Sequence, residues 1–538
     1  MNLGEYFDGA TGAPAAGRGR QSIPRASLAE RVLQRMGPGR DPGAAPSRAL
    51  LLRRDVVAVA LAAVVPLAIF VLAERRIAGT GGFPLDDSWI HLHFARNLAE
   101  GAGFSYNPGV PVAGSTAPLW TLLLGGAFAV FGPSIALVKA IGIAVTVAAA
   151  LATAAAARAW GAPASLATVA GIALVWTGAM AWGALSGMEV SLAALLVAAA
   201  LLAHARDRTV ATALLAGLAA LARPEAIILV PLLALARRPM LRRLAAFAVI
   251  AGVVLAPAVA FSLATVGAPV PATAAAKVEG GLVGWLGGVR EPPGRTLLGR
   301  PVEFLVDWIR WLTGTHWLLV PSLFAAVVVA WRRRGGALGV PALALLAHPL
   351  AMALLAPYRG PGFQEGRYSM HLLPLALVVL AAAAPAAGRW TIRAVAGAWL
   401  AVALALLPAA AVRYGWAVQN IDALQVALGR WVDDQVPRNA RLALNDIGAI
   451  AYFSRRPVID LMGLVTPDII PYRRDGEAGV IRYVTETCPD YVIVFPSWFP
   501  DLTSRTYLLE PVHAARLPRN EVAGAAEMIV YRLKRCAV

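Results

Sequence analysis

Lysine is almost absent: Lys139, Lys277 and Lys534 stand against forty-five arginines in 538 residues. Acid is scarce as well, and charged residues make up 15% of the chain against 58% hydrophobic ones. A soluble domain carries nearer a quarter charged residues, so this balance excludes an ordinary soluble protein. With only two cysteines, Cys488 and Cys536, which can pair or stay free, neither a disulfide framework nor a metal knuckle is indicated. The stretch "DIGAIAYF" lacks the G-x-G-x-x-G spacing, so no dinucleotide fingerprint is present. The net charge of +17 does not point to nucleic acid. Its arginines fall in short clusters between apolar runs (Arg53-Arg54, Arg237-Arg238, Arg242-Arg243, Arg332-Arg333-Arg334), the pattern of cytoplasmic loop ends under the positive-inside rule.

What is abundant is long hydrophobic sequence. Runs of the roughly 20 residues needed to cross about 30 Å of hydrocarbon recur through the first three quarters of the chain. They cover about 55–73, 117–132, 135–157, 164–183, 189–204, 209–222, 225–236, 244–266, 314–331, 338–356, 369–386 and 392–411. The expectation is a polytopic α-helical membrane protein with about 11–13 membrane segments. Pro224 splits one run and Ser186-Gly187-Met188-Glu189 separates two others, so at least one segment between 117 and 243 is expected to be partial or re-entrant.

Residues 1–50, rich in Gly, Pro, Ala and Arg, read as a basic disordered cytoplasmic tail with a short helix at Ser27 to Met36 and no cleaved signal. Residues 51–411 form the transmembrane module, with a large first external loop at 75–116. Residues 412–538 change character. "RLALNDIGAIAYFSRRPVIDLMGL" reads as a strand, a turn with a helix start at Asn445-Asp446-Ile447-Gly448 and a second strand, Pro457 to Asp460; "DYVIVF" and "AAEMIVYRLK" read as further strands, a small α/β domain expected outside the cytoplasm.

The first loop carries Asp86 and Asp87 at the start of an apolar-periodic helix stopped by Gly101, read as an interfacial amphipathic helix. One aspartate is explained by capping this helix. The other, with His91 one turn away and Arg96 beyond, fits a general base at the membrane surface, because adjacent carboxylates push their pKa values apart. The remaining candidates are acids and cations at membrane depth or interface. Glu189 and Glu225 open broken apolar runs, Arg223 is the ready partner of Glu225, and Lys277 and Arg367-Tyr368 stand where loops meet the membrane. Each also has a plainer reading as a solvated, capping or snorkelling residue.

"DDSWIHLHFARNLAEGAGFSYNPGVPVAGSTAPLWTLLL", Asp86 to Leu124, resembles the first-loop signature of GT-C superfamily glycosyltransferases, especially their arabinofuranosyltransferase-like and mannosyltransferase-like members. "LSGMEVSL", "LAALARPEA", "PATAAAK", "GRYSMHLLPL" and "LNDIGAIAYFSRRPVIDLMGLV" resemble further segments of that family, in order, although Ala272 replaces a usual Asn. The resemblance implies a GT-C fold and transfer of a pentose such as arabinofuranose, or a hexose such as mannose, from a polyprenyl-phosphate carrier. The acceptor would be a cell-envelope glycan, lipid or protein at the extracytoplasmic face of the bacterial plasma membrane. It makes Asp87 the expected base, with Asp86 its alternate or a cation ligand. His91, Arg96, Glu189, Arg223, Glu225, Lys277, Arg367 and Tyr368 are the expected substrate contacts. The resemblance implies no certain cofactor, a divalent metal being the one candidate. Some relatives use a divalent ion, for which Asp86, Asp87 and His91 are the candidate ligands. The C-terminal domain is expected to bind acceptor or act as a lid. A lipid or solute transporter and a non-catalytic scaffold are the competing readings. The first calls for inverted repeats that the sequence does not display, and the second leaves both aspartates as caps.

Overall fold

The computed structural model describes residues 51–534 apart from 279, 287, 288, 290, 317–319, 333–336 and 387. The expected tail and its short helix lie outside the described residues.

The first helix, α1 (Arg53–Ile77), is 25 residues long, about 38 Å at 1.5 Å per residue, and therefore spans the hydrocarbon. It carries Asp55 in its first turn and Arg75 and Arg76 in its last, both favourable to the helix dipole. After the first-loop helix α2 (Asp86–Ala99) come α3 (Pro118–Phe131), α4 (Ile135–Ala159), α5 (Ala164–Val175), α6 (Gly178–Leu185), α7 (Val190–Ala205) and α8 (Thr209–Ala222). A 3-10 turn at Pro224–Ile228 leads into α9 (Leu229–Leu235), then α10 (Met240–Val266) and the short α11 (Ala272–Lys277). Next follow α12 (Arg300–His316), α13 (Val320–Arg332), α14 (Ala344–Leu355), α15 (Leu373–Ala383) and α16 (Arg389–Ile421).

Among the described residues five helices are long and apolar enough to cross a membrane, or up to seven if two bent pairs each count once. The expected 11–13 segments are therefore not all full-length spans by length and composition. The remaining apolar runs fold as helices of 10–17 residues, too short for about 30 Å of hydrocarbon. One bent pair is α5 and α6, turned by 59° where Trp176 and Thr177 interrupt the run. Thr177 starts α6 by accepting the Met180 N–H on its hydroxyl, which ends the preceding helix as a separate element. The other pair, α12 and α13, replaces the single run expected at 314–331, and α12 is amphipathic, which hides it from a hydropathy scan.

Beyond α16 lies the sheet domain: α17 (Ala427–Gln435), β1 (Leu442–Leu444), α18 (Gly448–Ser454), β2 (Val458–Asp460), α19 (Gly476–Thr487), β3 (Tyr491–Val494), β4 (Leu509–Arg516) and β5 (Glu527–Leu533). The strand order is β2-β1-β3-β5-β4, with β1 parallel to β2 and β3, and β5 antiparallel to β3 and β4. The sequence pattern missed β4, whose Pro511 and neighbouring bulge are tolerated because it is the edge strand.

Three cores organise the described residues, the third packing α19 (Val480, Val484) on Ala443, Val492 and Val494 of the sheet. The largest fills the helical bundle; a second joins Ile90, Phe94, Tyr106 and Val112 of the first loop to Leu442, Leu444, Ile447 and Ile450 of the sheet domain. The first loop is thus part of that domain's core. Every residue from Ser88 to Asn97 is buried in protein, so α2 is not the interfacial helix expected from its periodicity. The sheet domain covers the face that would otherwise meet water or headgroups.

Close helix crossings depend on glycine: a Cβ on Gly142 of α4 would stand 2.2 Å from the Ala184 carbonyl oxygen of α6. Gly142→Leu is expected to destabilise the bundle by about 1–3 kcal/mol, read as a lower melting temperature by tryptophan fluorescence in detergent. Gly126→Leu on α3, where a Cβ meets nothing within 4 Å, should leave it unchanged.

Candidate active site

The site is built from α1 outward. Glu74, buried near the end of α1, pairs with Lys139 of α4, lies 3.4 Å from the Tyr414 hydroxyl of α16 and accepts the Gly82 N–H at 2.9 Å. That contact fixes where the first loop leaves the bundle. At the far end of α2, the Asn97 amide donates to the carbonyls of Ser105 and Tyr106 at 3.0 and 2.8 Å, which ties the returning loop back.

Asp86 and Asp87 are the first two residues of α2, and neither caps it. Leu85 is the N-cap and accepts no side-chain bond. Asp86 instead takes the start of another helix: its two carboxylate oxygens accept the Gly448 and Ala449 N–H groups of α18 at 2.7 and 2.8 Å. Residue 448 has no room for a side chain, since a Cβ there would meet the Asp86 carbonyl oxygen at 2.1 Å.

Asp87, about 100° further round the helix, faces the other way. Its Oδ2 pairs with the Arg367 guanidinium and lies 3.9 Å from the Lys277 ammonium. Arg367 is aimed by a turn in which Gln364, Glu365 and Gly366 all have positive φ. A Cβ on Gly366 would lie 2.1 Å from the Trp311 ring, and Trp311 Nε1 donates to the Glu365 carbonyl at 2.8 Å. Arg367 Nη2 donates to the Tyr368 hydroxyl at 3.1 Å. Arg223 lies 4.4 Å over the Tyr368 ring and pairs with both Glu189 and Glu225. His91 completes the line, its Nε2 3.4 Å from Glu189 and its Nδ1 3.2 Å from the Thr121 hydroxyl.

The structure therefore brings Asp86, Asp87, His91, Glu189, Arg223, Glu225, Lys277, Arg367 and Tyr368 into one connected cluster. Asp87, Lys277 and Glu225 are 28, 22 and 22% exposed, whereas Arg367, Arg223 and Glu189 are 5% or less. The cluster opens at Asp87 and closes at Glu189. Arg96 is the exception and corrects its expected role. Its guanidinium stacks 4.5 Å over the Tyr452 ring and donates to the Tyr452 carbonyl at 2.6 Å and to His93 Nδ1, clasping α2 to α18 away from the cluster.

Three contributors were not singled out from sequence. Tyr358 presents its ring 5.6 Å from the Lys277 ammonium. Asp446, two residues past β1, and Gln425, whose Nε2 donates to Asp446 at 2.7 Å, come from the chain after α16. An acid just past a buried strand was the available signal for Asp446.

The two first-loop carboxyls differ in acidity as well as direction. Burial and the nearby Asp446 push Asp86 well above the usual carboxylate range, against its two N–H donors. Burial acts on Asp87 too, but Lys277 and Arg367 outweigh it and hold that carboxyl well below the usual range. Burial, with Asp87 and Asp460 near, raises Asp446 to about 6. Among the described residues no group of three or more His, Cys, Asp or Glu side chains is placed to hold a metal ion. Asp86 is taken up by backbone donors and His91 by Glu189 and Thr121, so those two do not converge with Asp87 on a common point.

Residues 413–531 match a family described as Domain of unknown function (DUF8728). No curated protein sequence matches the chain. Solved structures do. The crystal structure of ArnT from Cupriavidus metallidurans bound to undecaprenyl phosphate is similar with a TM-score of 0.55 at 14% identity, over 89% of this chain and 99% of ArnT. The Archaeoglobus fulgidus oligosaccharyltransferase in complex with Zn and sulfate gives 0.53 at 14% identity, over 86% of this chain and 72% of its own. The archaeal oligosaccharyltransferase AglB from Archaeoglobus fulgidus, with an inhibitory peptide and a dolichol-phosphate, gives 0.54 at 12%, over 86% and 73%. The fold is thus the GT-C fold of integral-membrane glycosyltransferases. Within it, this chain is similar to ArnT along nearly the whole of ArnT's length.

Gly448→Ala is expected to force α18 off Asp86, lowering the melting temperature and exposing the chain after residue 421 to limited proteolysis. A pH experiment reads Asp446. Its carboxyl is raised above the roughly 3.9 of an unfolded Asp, so the stability it contributes is full below about 4 and lost as pH rises through about 6. Asp446→Asn cannot ionise. It should melt above the parent at pH 7.5, with the gap narrowing as pH falls to 5; buried histidines titrate alike in both proteins and cancel.

Proposed function

We propose that this protein is a glycosyltransferase that moves a sugar from a polyprenyl-phosphate carrier to a cell-envelope acceptor at the extracytoplasmic face of the bacterial plasma membrane. The observation that carries this reading is Asp87, a partly exposed carboxylate on the first loop of a GT-C fold, facing two cations at the open end of a buried polar cluster. The undecaprenyl phosphate bound to ArnT and the dolichol-phosphate bound to AglB support a lipid-phosphate donor over a transport role.

The chemistry follows from those three side chains. An acceptor hydroxyl attacks the anomeric carbon while Asp87 takes its proton. The bond from that carbon to the carrier phosphate breaks, and the electron pair leaves with the phosphate oxygen. A single displacement of this kind inverts the anomeric centre. Lys277 and Arg367 stabilise the anion that leaves, the ammonium as a point charge and the guanidinium as a directed donor. Asp86, held by α18, does not reach the reacting atoms and acts as a positioning residue. Arg223, Glu189 and His91 form the fixed wall behind Arg367 and Tyr368.

The test is transfer of radiolabelled sugar from synthetic polyprenyl-phosphate arabinofuranose and mannose to cell-envelope acceptors, by purified protein in lipid. Asp87→Asn should lose about 10²- to 10⁴-fold in rate, the usual contribution of a general base, with an unchanged melting temperature. Lys277→Met should mainly raise the donor KM. Equal transfer by the parent and Asp87→Asn would overturn the assignment of the base, and no turnover of either donor class by the parent would overturn the reaction.

A further inference from the structure

Arg367 is held on only one side by bonds of its own. Its guanidinium pairs with Asp87 and donates to the Tyr368 hydroxyl, while its buried Nε has no partner. The aim of the side chain is therefore fixed through its backbone. That backbone leaves a turn in which two residues other than glycine, Gln364 (φ +49°) and Glu365 (φ +59°), lie in the left-handed region. Such strain persists where surrounding contacts over-determine it, and it collects at functional sites. The side chains of the two residues do not account for it: Gln364 Oε1 has no partner, and the Glu365 carboxylate reaches outward to Arg413 at 3.1 Å.

The contacts that hold the turn come from α12. Asp307 Oδ2 accepts the Gly362 N–H at 2.6 Å, and Trp311, one helical turn on, donates to the Glu365 carbonyl at 2.8 Å. The Gly362 carbonyl in turn accepts the Gly366 N–H at 3.1 Å, and Gly366 is the residue before Arg367. The fit is close, since a Cβ on Gly360 or Gly362 would collide with the Asp307 carboxylate. Among the described residues Asp307 has no ion-pair partner. A partly buried carboxylate with no counter-ion costs stability. What it supplies here is one charge-assisted bond to the turn.

We propose that Asp307 is a positioning residue of the transfer reaction: through Gly362 and Gly366 it sets the Arg367 guanidinium where the leaving phosphate oxygen gains charge. Asp307 itself touches no reacting atom. The inference rests on the glycosyltransferase reading for what Arg367 does, and adds to it the residue on which that aim depends. A guanidinium is a planar, directed donor, so its placement matters more than that of an ammonium such as Lys277. A displacement of about 1 Å at such a group costs up to about 10²-fold in rate. The charge to be met develops only as the bond breaks, so the loss falls on kcat and leaves the donor KM in place.

The test compares single and double variants of the full-length protein in lipid, by transfer of radiolabelled sugar from synthetic polyprenyl-phosphate arabinofuranose and mannose to cell-envelope acceptors. Asp307→Ala should lower kcat about 10- to 100-fold, with the donor KM near the parent's. Asp307→Leu, which fills the same space without an acceptor, repeats that comparison independently, and melting temperatures show that each variant is folded. Asp307→Asn keeps an oxygen for the Gly362 N–H and should recover most of the rate. Glu303→Ala, an exposed acid one turn earlier on α12, should match the parent. In an Arg367→Met background Asp307→Ala should cost nothing further, because its effect passes through the missing guanidinium; a merely structural role would lower the rate in both backgrounds. The inference is overturned, with the reaction intact, if Asp307→Ala and Asp307→Leu keep the parent's kcat, if Asp307→Asn falls as far as they do, if Glu303→Ala loses as much, or if the Asp307 and Arg367 losses multiply. A parent that turns over neither donor overturns the glycosyltransferase reading, and this inference with it.

Discussion

The contact on which the rest of the site depends is the grip of the Asp86 carboxylate on the first two N–H groups of α18. A buried carboxylate is costly unless its oxygens are bonded, and the start of a helix offers unpaired N–H groups and the positive end of a dipole. Satisfying the carboxylate and capping α18 are the same event. Because the donors come from the sheet domain and the acceptor from the first loop, that event also docks one on the other. The shared core of Ile90, Phe94 and Tyr106 with Leu444 and Ile450 then supplies the hydrophobic area, and the Arg96–Tyr452 stack fixes a second point.

The adjacency of the two aspartates follows from this. Consecutive helical residues point about 100° apart, so a pair at the start of α2 addresses two neighbours at once. One carboxylate must face the sheet domain if the loop is to be held, and the next then faces Lys277 and Arg367 without any further design of the backbone. Two acids in a row are therefore a structural pair with divided duties: burial and Asp446 raise the pKa of the one that grips α18, while Lys277 and Arg367 lower that of the other.

Much of this was legible in the sequence because it is local or compositional. Hydropathy marked the helical module, alternation marked three of the parallel and central strands and β5, and the first-loop signature pointed to the cluster residues. What was not legible depends on contacts across hundreds of positions. Periodicity read α2 as a surface helix because nothing in residues 86–99 says that a domain 350 residues later covers it. Arg96 read as a substrate contact because its partner, Tyr452, is equally remote. Helix α12 escaped because an amphipathic helix has low mean hydropathy, and β4 because Pro511 reads as a break except on a sheet edge. Asp446 was visible only as part of a turn; its importance comes from the tertiary approach of Asp86.

The charge balance of the cluster bears on how the proposed reaction would be timed. Asp87, Glu189 and Glu225 face Lys277, Arg223 and Arg367, so the cations near the opening are already compensated before any phosphate arrives. On the proposed reading, an incoming carrier phosphate must compete with Asp87 for Lys277, the looser of its two partners at 3.9 Å. Every share of cation that the phosphate takes is lost to Asp87, and the phosphate's own negative charge acts in the same direction. Both raise the proton affinity of that carboxylate from a range in which it is too weak a base toward one in which it can take a proton from a hydroxyl. On that reading, the pairing that weakens Asp87 as a base is the one that a bound donor relaxes, which confines the base to the moment when a leaving group is present.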